Sequence, residues 1–123
     1  MKEFDNIEGI YFLGIGGIGM SALARWFLAG GFAVCGYDRT KSPVSAALEE
    51  EGCNITYEDD LTTLPALFDE PVERDKVMIV YTPAIPQESA LMNFFIEKGY
   101  AVYKRSEIPV SYTHLTLPTK RIV

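Results

Sequence analysis

The 123-residue chain is 48% apolar, enough for one domain with a core of its own that buries roughly two-thirds of its unfolded surface. Its formal charge of −6 argues against a nucleic-acid partner, and no apolar run reaches the ~18 residues of a membrane span. The N-terminal Met-Lys-Glu-Phe-Asp-Asn lacks the pattern of a signal peptide, so a cytoplasmic location is expected by elimination.

Residues 1–9 read as a polar lead-in. The run Ile10–Leu13 predicts a first buried strand, and Gly14, Gly16 and Gly19 follow it at the spacing G-x-G-x-x-G. A helix is expected from Ile18 to Ala29, with Met20, Leu23, Ala24, Phe27 and Leu28 on its apolar face and Gly30-Gly31 as its stop. Trp26 is expected to pack at the edge of that helix.

Phe32–Tyr37 predicts the second strand, ending in Asp38-Arg39. Ser42 can cap a helix that begins at Pro43, runs through Val44–Glu51 and stops at Gly52. Asn54–Tyr57 predicts a third strand, Glu58-Asp59-Asp60 a solvated acidic turn, and Leu61–Phe68 a short helix.

Lys76–Thr82 is continuously apolar enough for a strand covered on both faces. Thr82–Pro86 is a stiff loop, Gln87–Lys98 a helix stopped by Gly99, and Tyr100–Tyr103 a fifth strand followed by Lys104-Arg105-Ser106-Glu107. From Ile108 to Val123 the chain has no acidic residue and no clear periodicity, and it reads as foreign to the fold. The lone histidine, His114, lies there and is not taken as catalytic. Cys35 and Cys53 fit no metal spacing and read as reduced, buried thiols.

The alternation of strands and helices predicts an α/β fold: a Rossmann-like parallel sheet in the order 3-2-1-4-5, with helices on both faces. Ligands of such sheets bind beyond the carboxyl ends of the strands, where the order switches. Gly14–Ser21, Asp38, Thr82–Pro86 and Arg105–Glu107 converge there.

A strand, a glycine turn and a helix N-terminus together make an anion site, because unpaired amides and the helix dipole both face a phosphate. Gly14 gives the tight turn, Gly16 lets a pyrophosphate approach, and Gly19 lets the helix pack on the strand. The pattern identifies a diphosphate, as in NAD, FAD or a UDP-sugar, without choosing among them. Asp38 stands nineteen positions after Gly19, where a carboxylate can accept a ribose hydroxyl. Arg39 fits a 2′-phosphate or plain solvent. Thr82 and Arg105 could each hydrogen-bond or neutralise a phosphate. No general acid–base pair, activated nucleophile, metal cluster or G-x-x-x-x-G-K-[ST] motif is present in the sequence, so the chain reads as a binding module with no catalytic residue and no metal of its own.

The stretch Gly14-Ile-Gly-Gly-Ile-Gly-Met-Ser21 resembles the opening of the Mur ligase family, where a strand runs into G-I-G-G-x-G-M-S. Gly36-Tyr37-Asp38 resembles that family's G-S-D, Thr82-Pro83-Ala84-Ile85 its S-S-A-I, and Lys104-Arg105-Ser106-Glu107 its R-A-E. The resemblance covers roughly residues 7–107.

It implies the substrate domain of a three-domain ligase, with UDP-N-acetylmuramate as its ligand. The diphosphate would sit on Gly14, Ile15, Gly16, Gly17, Ile18, Gly19, Met20 and Ser21. Asp38, Thr82, Pro83, Ala84, Ile85, Arg105 and Glu107 would line the rest of the pocket. In the whole enzyme ATP and Mg2+ activate the lactyl carboxylate as an acyl phosphate, which the amine of L-alanine attacks. The family's glycine-rich ATP loop, ending in Gly-Lys-Thr, has no counterpart in these 123 residues, so this chain alone is expected not to ligate. The competing reading is an NAD(P)-binding domain of a dehydrogenase or regulator.

Overall fold

Strand β1 (Gly9–Leu13) is buried along its whole length, because it lies in the middle of the sheet with a packed layer on each face. A computed structural model describes residues 7–60, 62, 76–83, 85, 86 and 88–104, with Ile18 described by its backbone alone. The other elements are α1 (Ile18–Ala29), β2 (Ala33–Tyr37), α2 (Pro43–Glu51), β3 (Asn54–Thr56), β4 (Val77–Tyr81), α3 (Ala90–Glu97) and β5 (Val102–Lys104). All strand pairs are parallel and the order is β3-β2-β1-β4-β5, as the alternation predicts. In register, Phe12 stands between Gly36 and Val80.

Side chains alternate across a strand, so β1 feeds two cores. Ile10 and Phe12 meet Met20, Leu23, Ala24 and Phe27 of α1 and Leu48 of α2. Tyr11 and Leu13 meet Leu91 and Phe95 of α3 on the opposite face. Trp26 packs edge-on against Phe27, ring centres 5.0 Å apart, in the core-edge position expected of it. Helix α1 ends where Gly31 takes φ 92°, a left-handed conformation, and Phe32 N–H reaches back to Phe27 O at 3.2 Å.

Helix α2 starts as its sequence directs. Ser42 Oγ accepts from Ser45 N–H at 3.2 Å, and Ser45 Oγ accepts from Ser42 N–H at 2.9 Å, a reciprocal capping box with Pro43 in the first turn. Arg25 of α1 grips both carboxylate oxygens of Glu51 of α2, at 3.0 and 3.1 Å.

Several ends move by one residue, and two starts move by more. Helix α3 begins at Ala90 rather than Gln87, because Ser89 N–H turns back to Pro86 O and Ser89 Oγ caps Met92 N–H at 3.2 Å. Strand β5 begins at Val102 rather than Tyr100. Gly99 takes φ 80°, and Tyr100 N–H closes the end of α3 on Phe95 O at 3.0 Å, which leaves the Tyr100 ring edge-on to Phe95. The expected helix 61–68 lies, but for Thr62, outside the described residues, as do the tail 108–123 and His114. Among the described residues no helix is long and apolar enough to cross a membrane.

The acidic turn does more than meet solvent. Asp59 is half-buried, and its Oδ1 accepts from Leu91 N–H at 2.8 Å, a second cap on α3 supplied across the fold. Loss of a cap typically costs ~1 kcal/mol. Asp59→Ala is therefore expected to lower unfolding stability by ~1 kcal/mol, while Glu58→Ala, at an exposed neighbour, leaves it within ~0.5 kcal/mol. Urea unfolding of the pair checks this; equal midpoints would show that the cap contributes nothing.

Cys35 and Cys53 are free and buried, on opposite faces of the sheet. Burial pushes the Cys35 thiol up from 9.0 to about 12 and the Cys53 thiol up to about 11. A pKa raised on folding means that the native state holds its proton longer than the unfolded chain. The resulting stability is complete below pH 9 and declines as pH rises toward 11–12. Urea midpoints should therefore fall between pH 7 and pH 10, and less so in a Cys35→Ser/Cys53→Ser variant. A fall of the same size in that variant would assign it to other groups.

Candidate functional site

The site is built on the turn between β1 and α1. Gly14 takes φ 94°, which only glycine adopts cheaply, and this swings the chain from the strand toward the helix. Gly14 N–H and Ile15 N–H both donate to Tyr37 O, at 2.7 and 3.1 Å, tying the turn to the end of β2. Gly17 N–H donates to Gly14 O at 3.2 Å. Helix α1 then begins with Gly17 as its N-cap, without a side-chain cap and without an acidic residue in its first turn. Its positive end is left uncompensated by those devices, a setting that favours an anion.

Asp38 is placed differently from a bare ribose contact. Its Oδ2 accepts from Gly16 N–H at 2.7 Å, and its Oδ1 accepts from Thr40 N–H at 3.2 Å. The carboxylate thus bridges the two loops that leave β1 and β2.

Beside the turn lies a cleft of about 290 Å³ lined by Gly14, Gly17, Tyr37, Asp38, Arg39, Thr82, Ile85 and Pro86. It sits between the loops after β1 and β4, where the strand order switches direction. Burial, then the negative charge of Asp59, push the Tyr37 phenol above its ordinary 10.0, so that hydroxyl stays protonated. A second groove, about 440 Å³, adjoins the cleft across Ile85 and Pro86. Ile96 forms part of that groove and is the exposed large apolar side chain among the described residues, at 54%.

The expected site residues fall in different places. Gly14, Gly17, Asp38, Thr82 and Ile85 come together around the cleft, and Gly16 joins them through Asp38. Ile15 and Met20 belong to the core beneath the turn, so a ligand could meet only their backbone. Ser21 is buried, with its N–H on Gly17 O at 2.8 Å, and Ile18 contributes backbone to the first turn. Pro83 faces the second groove. Ala84, Arg105 and Glu107 lie outside the described residues.

Gly19 is exposed on the first turn of α1, so it does not occupy the tight helix–strand contact expected of it. Gly36 is the glycine under a crowded turn. A Cβ there would lie 2.7 Å from Ile15 Cδ1 and 2.8 Å from Phe12 O. A glycine inside an apolar strand is the signal that could have pointed to this close approach. Pro86, the last residue of the stretch Thr82–Pro86 expected at this edge, lines the cleft, and so does Tyr37, for which no site role is expected.

The described residues of the cleft do not make a magnesium site. The cleft's carboxylate is already held by two amides, and no group of three or more His, Cys, Asp or Glu among the described residues is placed to hold a metal.

An open parallel sheet with a glycine turn opening α1 at its switch point defines the Rossmann-like class of α/β domain. Residues 9–109 match the model of the Mur ligase family, catalytic domain, and the chain belongs to that family. It is 48% identical over 103 residues to a UDP-N-acetylmuramate--L-alanine ligase of Cytophaga hutchinsonii, covering 84% of this chain and 22% of that protein. It is 50% identical over 102 residues to the protein of the same name from Porphyromonas gingivalis ATCC 33277, covering 83% and 22%. The chain thus spans about a fifth of the length of these relatives.

Among solved structures, UDP-N-acetylmuramate-alanine ligase from Thermotoga maritima superposes with a TM-score of 0.68 at 24% identity, over 80% of this chain and 21% of that one. A UDP-N-acetylmuramate:L-alanyl-gamma-D-glutamyl-meso-diaminopimelate ligase from Neisseria meningitides gives 0.65 at 23%, over 80% and 29%. These two likenesses are of fold.

Proposed function

We propose that this chain is the substrate-binding domain of a UDP-N-acetylmuramate–L-alanine ligase, and that it holds the UDP-sugar by its diphosphate at the β1–α1 turn. One observation carries the reading: a helix end with no side-chain cap at Gly17 and no acidic residue in its first turn opens from a glycine turn beside a cleft at the sheet's switch point. Identity of 48–50% to ligases of that name supports the choice of a UDP-sugar over a nicotinamide dinucleotide. The diphosphate meets the first-turn amides of α1, and Asp38 and Thr82 flank the nucleoside.

Glycine turns of this kind also serve NAD(P) domains, and the sheet order alone does not separate the two. The chemistry itself belongs to the longer protein. There ATP and Mg2+ would activate the carboxylate of the sugar's lactyl group and L-alanine would attack it, in the cytoplasm, with Arg105, Glu107 and Ala84 completing the pocket. This chain by itself binds and does not ligate.

Calorimetric titration with UDP-N-acetylmuramate, with NADH and NADPH in parallel, tests the reading. Heat with the UDP-sugar alone is the expected result. Saturable binding of a nicotinamide cofactor in its place would hand the site to the dehydrogenase reading.

A further inference from the structure

The Asp38 carboxylate occupies an amide of the turn that a ligand phosphate would use. Gly16 N–H, at the centre of the glycine turn, is held by Asp38 Oδ2 at 2.7 Å. Gly14, Ile15 and Gly17 N–H are all satisfied by backbone oxygens, so this is the one amide of the turn that a side chain holds. The same carboxylate lines the cleft and, among the described residues, takes part in neither ion pair.

We propose that Asp38 is an internal stand-in for the ligand's phosphate, and that it makes the turn selective for nucleotides over bare phosphate anions. This rests on the reading that the turn is the diphosphate site. A phosphate oxygen and a carboxylate oxygen cannot share one N–H, and two negative groups so close repel each other. Any anion that takes Gly16 N–H therefore evicts Asp38 Oδ2. Inorganic pyrophosphate evicts it, sets its full charge against the released oxygen and brings no ribose hydroxyl in return. A nucleoside diphosphate evicts it and brings a ribose hydroxyl, a donor that the released oxygen can accept. The exchange is balanced for the nucleotide and uphill for the anion. Oδ1 keeps Thr40 N–H throughout, so the carboxylate pivots and stays at the cleft. Asp38 is thus a specificity-determining residue.

The test is calorimetric titration of the 123-residue chain, Asp38→Ala and Asp38→Asn with inorganic pyrophosphate and with UDP. The unsubstituted chain should bind UDP at least tenfold tighter than pyrophosphate. In Asp38→Ala pyrophosphate should tighten at least tenfold, ~1.4 kcal/mol, while UDP stays level or weakens, so the preference collapses. Asp38→Asn, which keeps a neutral acceptor for the Gly16 amide, should fall between.

The Gly16 amide resonance gives a second readout. UDP should move it in the unsubstituted chain, and pyrophosphate should move it only once the carboxylate is neutral or gone. If the unsubstituted chain binds UDP but neither variant gains pyrophosphate affinity, Asp38 merely ties two loops together and the inference is wrong. If the unsubstituted chain binds no UDP, the reading beneath it fails and the inference fails with it.

Discussion

Gly36→Ala is expected to lose at least ~3 kcal/mol of stability, at the upper end of what overpacking a core costs. The added Cβ would stand 2.8 Å from Phe12 O and 2.7 and 2.9 Å from Ile15 Cδ1 and Cβ, closer than real Cβ contacts come. A side-chain tip can swing away, but Phe12 O cannot. Phe12 is the register partner of Gly36 and sits in the middle strand, paired on its other side with Val80. Retreat of that carbonyl would pull β1 from both neighbours at once.

A partial rescue separates the two contributions. Ile15→Val removes Cδ1 and leaves Cβ and the Phe12 carbonyl, so Ile15→Val/Gly36→Ala should recover part of the loss and never all of it. Urea unfolding of the three variants reads this directly. A Gly36→Ala chain within ~0.5 kcal/mol of the unsubstituted protein would mean that the strand accommodates a methyl group and that the crowding is not real.

The contrast between Gly19 and Gly36 shows where a sequence speaks about structure. The turn, the sheet order and the α2 cap were legible because each is local: a glycine spacing, an alternation of apolar runs, a Ser-Pro before a helix. The motif alone places the tight contact at Gly19, yet it falls at Gly36 on the neighbouring strand, brought under Ile15 by parallel pairing.

The partners of Asp59 and Asp38 are hidden from the sequence for the same reason. Asp59 caps a helix 32 residues ahead of it, and Asp38 holds an amide 22 residues behind it. Nothing next to either residue encodes such a partner. Boundaries moved where one local signal overrode another: the turn at Pro86 and Ser89 delayed α3, and Gly99 drew Tyr100 out of β5. The cleft's outline could be placed by rule at the switch point, but the occupant of its central amide had to be found in three dimensions.

Gly16→Val should leave the fold standing and remove ligand binding, a loss of at least ~100-fold, or ~2.8 kcal/mol, for UDP-N-acetylmuramate. Its Cβ would meet Asp38 Oδ2 at 2.6 Å and Asp38 Cγ at 3.2 Å. Unlike Phe12 O, these atoms end a short side chain that can turn away, so the steric cost is small. The variant forfeits the Gly16–Asp38 hydrogen bond, one of the kind worth ~1.5–3 kcal/mol when a partner is charged and less where solvent competes. Melting should therefore shift by a few degrees, not collapse. Binding suffers more, because the branched side chain covers the approach to the amide that Asp38 has vacated. Here Gly16→Val and Asp38→Ala part company: both free the amide of its carboxylate, but only the second leaves it open to a phosphate. The double variant Gly16→Val/Asp38→Ala decides the point. With the clash relieved it should melt no lower than Gly16→Val and still bind neither UDP nor pyrophosphate. Recovery of either ligand there would show that the diphosphate reaches this cleft without passing over Gly16.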